Sequence, residues 1–261
     1  MESRIKLKTD WNNAAADYAR HRAGFPDWFF DRISAEGLFR EGHRVLDLGT
    51  GTGALARGFA LRRGKVTGLD IAPGMMEQAK ALGAAQGVDV EYVVAKAEAT
   101  GLPDADFDLV SAGTCWFWFD GAAAAAEAKR VLKPRGHLMI CMLGWLPLGD
   151  NMVAATERLI DRHNPNWRIG GYEPHPREFL HDLALGGFEA RESFTVDYDI
   201  AYSHEAWRGR IRASAGVSAN LGAEAVAAFD ADHAAMLARD FPADPMQVPH
   251  RVVAAWGRKP G

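Results

Sequence analysis

The chain has 261 residues, 48% of them hydrophobic, a formal net charge of −4 and a pI near 6.1. That is ample for one large domain, and an acidic balance without a long basic block excludes the charge footprint of a general nucleic-acid binder. No stretch reaches the ~20 apolar residues of a membrane-spanning helix, residues 1–30 lack a signal-peptide run, and Cys115 and Cys141 form neither a disulfide framework nor a metal motif. A cytoplasmic protein without a metal site is expected.

Residues 10–35 read as helical. Asp10 can cap, and Trp11, Ala14, Ala15 and Tyr18 recur at helical spacing; Pro26 opens a second amphipathic stretch with Trp28, Phe29 and Ile33. A strand is expected over 44–48, a helix over 54–63 ended by Gly64, and a strand over 66–70. A helix over 74–83 follows Pro73, then strands over 89–95 and 107–112. An alanine-rich helix covers 121–132, and the turn Lys133-Pro134-Arg135-Gly136 leads into a strand over 137–143. Strand and helix alternate throughout 40–143, which predicts a parallel sheet with helices on both faces.

Beyond residue 143 the regularity breaks. Helices are expected over 151–163, 176–185 and 204–240, and strands over 188–200 and 248–258, the two late strands antiparallel at the sheet edge. The whole reads as one α/β domain: a Rossmann-like, doubly wound, seven-stranded, mostly parallel sheet with a helical cap. Its core spans about 36–144, 176–202 and 248–261. The cap segments are about 1–35, 145–175 and 203–247.

The chemistry is concentrated at residues 45–53, Val-Leu-Asp-Leu-Gly-Thr-Gly-Thr-Gly. Gly49, Gly51 and Gly53 let the chain leave the first strand in a tight turn and approach a ligand without a Cβ in the way. Asp70 ends the next strand, where a carboxylate can accept both hydroxyl hydrogens of a ribose. The run also fits G-x-G-x-x-A, so a nicotinamide dinucleotide competes for the site. Asp47 opposes a pyrophosphate and suits a ligand with positive charge. Glu98 adds an acidic position after the third strand.

Taken together, residues 40–145 resemble a class I S-adenosylmethionine (SAM)-dependent methyltransferase. Four segments carry the resemblance in order: Val45–Gly53, Gly68–Met76, Ala97–Pro103 with Phe107–Val110, and Arg130–Gly136. It implies that Asp70 binds the ribose and that Ile71, with Met75 nearby, packs on the adenine. Ala97 and Glu98 border the adenine edge, and Gly49, Thr50 and Gly51 cradle the methionine moiety; Gly113 also falls in this cofactor-binding set. Lys96 stands where many relatives carry Asp. The run Ser111–Asp120 is similar to that of small-molecule enzymes of the trans-aconitate methyltransferase type, with Thr114 and Phe117 in place of their Gln and His.

On the acceptor side, Trp116 and Trp118 follow the fourth strand and offer an aromatic wall; core packing is the competing reading. Tyr18 and Arg22 share a helix face at i, i+4, with Tyr18 toward the methionine end and Arg22 toward a carboxylate. Arg208 and Arg212 repeat that spacing beside Trp207. His21, His163, His175, His204 and His250 are candidate bases, and Cys115 reads as a small buried side chain. The expected activity is methyl transfer from SAM to a small-molecule acceptor, with no nucleic-acid or membrane partner. The alternatives are an NAD(P)-dependent oxidoreductase and a non-catalytic nucleoside-binding protein of the same fold.

Overall fold

A computed structural model describes residues 20–167, 170–171, 173–218 and 220–261; Tyr18 lies outside them. Seven strands form one sheet: β1 (Arg44–Leu48), β2 (Lys65–Asp70), β3 (Glu91–Val94), β4 (Phe107–Gly113), β5 (Leu132–Trp145), β6 (Glu189–Tyr202) and β7 (Met246–Arg258). Their spatial order is β3-β2-β1-β4-β5-β7-β6. The pairs among β1 to β5 are parallel, whereas β7 runs antiparallel to both β5 and β6. The two late strands thus form the expected antiparallel pair at the sheet edge. β7 inserts between β5 and β6 and is the one reversed strand of this sheet.

β1 and β4 are buried on both sides, as parallel strands between two helical layers must be; β6, at the edge, alternates exposed and covered positions. On one face α1 (Asp27–Ala35) and α2 (Ala54–Leu61) bring Phe29, Phe30, Ile33 and Phe59 against Val45, Leu109, Met139 and Trp256. Thus α1 packs on the sheet, although it falls in the segment expected to cap the cleft. On the other face α4 (Gly121–Val131) and α6 (Arg177–Leu185) bring Ala124, Ala128, Phe179 and Leu183 against Leu46, Leu48, Val110 and Leu138. α3 (Pro73–Ala85) starts with Pro at its first position, where no N–H is needed.

The cap has a core of its own. Val153, Leu159 and Ile160 of α5 (Met152–His163) meet Trp207 and Ile211 of α7 (His204–Arg212) and Phe229 and Leu237 of α8 (Ala223–Asp240). Because β7 is antiparallel to β6, it begins at the edge where β6 ends. The intervening α7 and α8 thus stay over the carboxyl ends of the parallel strands. The single helix expected over 204–240 is broken between Arg212 and Ala223. Gly216 lies in the break, and a Cβ there would approach Ile160 Cγ2 to 2.9 Å.

Candidate functional site

A cavity of about 640 Å³ opens at the carboxyl ends of the strands, between the loops after β1 to β5 and the cap. Gly49 and Gly51 form one wall. Gly49 has φ +60°, and a Cβ on it would lie 2.9 Å from both Cys115 Cβ and Sγ and from Phe119 Cζ. A side chain at this position has neither the backbone conformation nor the room.

Asp70 lines the same cavity. One carboxylate oxygen accepts from the Gly51 amide at 2.8 Å and the other from the Ala72 amide at 2.9 Å. Each oxygen keeps a further lone pair, so the carboxylate is oriented without being used up. Burial raises its pKa, and the Ala72, Gly51 and Ile71 amides act against that rise. Ile71, 65% exposed, lies at the rim beside buried Met75. Ala97, Glu98 and Gly113 continue the wall with Lys96. A Glu98 oxygen accepts from the Asp120 amide at 2.9 Å, which ties the loop after β3 to the start of α4.

Asp47 and Thr50 do not line the cavity. Asp47 is 1% exposed beneath the glycine turn, where its carboxylate accepts from Thr50 Oγ1 at 2.7 Å and Ser111 Oγ at 2.8 Å. The expectation that its charge faces a ligand is corrected: the carboxylate staples the turn to β4. Burial, partly offset by the two hydroxyls, pushes its pKa up from 3.8 to about 6. A raised folded-state pKa means that this group's contribution is fully present below pH 3.8 and is lost as pH rises through about 6. The loss is ~3 kcal/mol at 1.36 kcal/mol per pH unit. Asp47→Asn does not titrate, so its stability relative to the parent is expected to rise by ~2 kcal/mol between pH 4 and 7. Denaturant unfolding at the two pH values checks this, and a constant difference would refute the buried-charge account.

Of the two tryptophans expected at the rim, Trp118 lines the cavity and Trp116 does not. Trp116 is 2% exposed and its Nε1 donates to Asp182 Oδ2 at 2.8 Å, so it belongs to the core under α6. Arg22 lines the cavity, whereas Arg208 and Arg212 lie elsewhere. Both pair with Asp230 of α8 and Glu205 of α7, which uses their charge in holding the cap together. None of the five candidate histidines is on the cavity wall. His250 is 2% exposed, its Nδ1 lies 2.8 Å from the Val248 carbonyl oxygen, and burial pushes its pKa down to about 4. His163 pairs with Asp232, and His204 Nε2 meets the Phe241 and Ala243 carbonyl oxygens. Cys115 lies on the wall, but burial holds its thiol well above its ordinary pKa, so it is protonated.

The cap brings residues to the wall that the sequence patterns did not single out: Trp145, Glu157, Trp167, Arg210 and Ser214. Arg210 is 6% exposed, with its guanidinium 4.7 Å from the Trp145 ring centroid. A charged residue amid an otherwise apolar helix face would have been a usable signal for Arg210. Glu157 and Ser214 carried none, because neither sits in a motif. Among the described residues no cluster of three metal-ligating side chains occurs, and no helix is long and apolar enough to cross a membrane.

Residues 46–140 match a family model described as a methyltransferase domain. The chain is 36% identical over 210 residues to a malonyl-[acyl-carrier protein] O-methyltransferase of Geobacter sulfurreducens, covering 76% of this chain and 75% of the relative. It is 30% identical over 205 residues to a ubiquinone biosynthesis O-methyltransferase of Xanthomonas oryzae pv. oryzae, covering 75% and 80%. It spans about half the length of a further methyltransferase-like relative, with 52% covered. A structure described as a putative type II methyltransferase from Anaeromyxobacter dehalogenans has the same fold, with a TM-score of 0.63, 24% identity, and 92% of this chain and 98% of that chain covered.

Proposed function

This chain belongs to the class I SAM-dependent methyltransferases, and we propose that it transfers the methyl group of SAM to a small-molecule acceptor held between the glycine turn and the cap. The observation that carries this reading is one cavity lined both by Gly49, Gly51, Asp70 and Ala97 and by Trp118, Trp145 and Trp167. The residues present fit the donor. Asp70 has oriented, incompletely used oxygens for the ribose hydroxyls, and Gly49 and Gly51 leave bare backbone for the methionine moiety. Ile71 and Met75 would hold the adenine, with Ala97, Glu98 and Gly113 lining the same cavity. Thr50 and Asp47 serve indirectly, by holding the turn.

SAM, when bound, supplies a methyl carbon on a positively charged sulfur that is a good leaving group. The work left to this chain is to align the acceptor and to keep water out. Apolar walls from Phe117, Trp118, Leu143 and Ala213 do the second. Two relatives named as O-methyltransferases favour oxygen as the atom methylated; neither carries the trans-aconitate name. The reversed β7 also departs from the all-parallel 3-2-1-4-5-6 order of dinucleotide-binding sheets, which weighs against a nicotinamide cofactor.

Calorimetry with SAM, S-adenosylhomocysteine (SAH) and NAD tests the proposal. SAM and SAH are expected to bind and NAD is not; NAD binding in the absence of SAM binding would overturn it. Arg208→Ala provides an internal control. Because Arg208 pairs with Asp230 away from the cavity, the substitution is expected to lower stability by ~1 kcal/mol and to leave SAH affinity within about twofold of the parent. A large loss of SAH affinity would place Arg208 in the site after all.

A further inference from the structure

The cap contributes to the cavity a buried carboxylate whose hydrogen-bonding capacity the protein does not exhaust. Glu157 of α5 is 7% exposed and lines the cavity. One of its oxygens accepts from Trp145 Nε1 at 2.8 Å and the other from the Gly171 amide at 2.7 Å. Both donors are neutral, and among the described residues no cation forms an ion pair with this carboxylate. Ser214 and Trp167 also contribute to the wall, but Ser214 Oγ and Trp167 Nε1 themselves are sealed from the cavity, with no hydrogen-bond partner among the described residues. A buried carboxylate held only by neutral donors is costly in isolation. Its place on the wall of a ligand cleft points to a ligand that donates a further hydrogen bond to it.

We infer that the acceptor is a planar hydroxyl compound, in the simplest case a phenol, whose reacting hydroxyl donates to Glu157, and that Glu157 takes its proton. The inference rests on the methyl-transfer reading above. Phe117, Trp118, Trp145 and Trp167 give the planar ring its walls. The two N–H donors fix the plane of the Glu157 carboxylate and leave a lone pair on each oxygen.

The step balances without any further reactant. The acceptor oxygen forms its bond to the methyl carbon, the carbon–sulfur bond breaks with its electron pair passing to sulfur, and the hydroxyl proton passes to Glu157. The products are the methyl ether, SAH and a neutral carboxylic acid that later loses its proton to solvent. Burial and Asp161 of the same helix raise the Glu157 pKa, opposed by Gly171 and Trp145, which suits a proton acceptor. Arg210 from α7 and Arg22 line the same cavity, so the charge preference of the acceptor must be tested.

The experiment uses the full chain saturated with SAH and titrated with 4-nitrophenol, whose absorbance separates phenol from phenolate, and with benzoate. In the parent, bound 4-nitrophenol is expected to ionise at a higher pH than free 4-nitrophenol, because its hydroxyl donates to a carboxylate. Glu157→Gln is expected to abolish that shift and weaken 4-nitrophenol binding by about tenfold, with SAH affinity within about twofold of the parent. Glu157→Asp should fall between them, and it carries the test if Glu157→Gln does not fold. Unchanged 4-nitrophenol binding and ionisation in Glu157→Gln would overturn the inference, as would a parent that binds benzoate in preference to 4-nitrophenol. Failure of the parent to bind SAH would instead overturn the methyl-transfer reading on which it rests.

Discussion

Asp70→Ala is expected to weaken SAH binding by about a hundredfold or more, with little change in the folded state. The reasoning starts from the free lone pairs of its carboxylate. Two hydrogen bonds from ribose hydroxyls to a charged acceptor are worth ~1.5–3 kcal/mol each, and ~3 kcal/mol is already about two decades in affinity. The fold loses little because opposing effects meet at this residue. The substitution strips the Gly51 and Ala72 amides of their acceptor, but it also removes a carboxylate whose raised pKa reports an unfavourable desolvation. Asp70→Asn keeps one acceptor oxygen and should fall between the two. Calorimetric titration with SAH, paired with thermal unfolding, separates binding from folding. SAH affinity unchanged in Asp70→Ala would remove Asp70 from the donor site.

The second large effect is expected from the glycine turn. Gly49→Ala should destabilise the chain by ~2–5 kcal/mol and abolish measurable SAH binding. A positive φ costs an L-residue ~1–2 kcal/mol, and overpacking adds ~1–3 kcal/mol. The clash cannot be relieved by a flexible tip. The new Cβ would meet Cys115 at both its Cβ and its Sγ, and that Sγ is itself held 3.1 Å from the Leu48 carbonyl oxygen. Gly51→Ala is the comparison that makes the account testable. Its φ is +55°, yet a Cβ there finds only Met75 Cε, at 3.5 Å. It should therefore cost only the conformational part, ~1–2 kcal/mol. Chemical denaturation of the two variants checks the difference. Equal losses would show that crowding at Gly49 contributes nothing.

The reversal of Arg208 and Arg210 shows where a sequence pattern stops being informative. Spacing of i, i+4 correctly puts Arg208 and Arg212 on one face of α7. It does not say which face looks into the cavity. In the folded chain that shared face turns toward Asp230 of α8, and Arg210, about 200° round the helix, reaches the wall instead. Trp116 and Trp118 divide in the same way within one short helical turn: one donates to Asp182 in the core, and the other lines the cleft. Asp47 carries the sharpest lesson. Its charge seemed to choose between cofactors, yet it is sealed under the turn and spent on Thr50 and Ser111. The order of the strands, with β7 reversed between β5 and β6, discriminates in its place.

By itself, the sequence determined the alternation of elements over residues 40–143, the glycine turn after β1, the acidic end of β2 and the family to which these belong. Each of these is a local matter. Periodicity, positive φ and turn chemistry act between residues a few positions apart, so they leave their mark in a short window of chain. Only the tertiary structure decided the placement of β7, the break between α7 and α8, and the meeting of Glu157, Trp167, Arg210 and Ser214 on one wall. Those depend on which helix face packs against which partner from distant parts of the chain. No short-range pattern records that choice, because it is made by burial and charge pairing across the assembled cap.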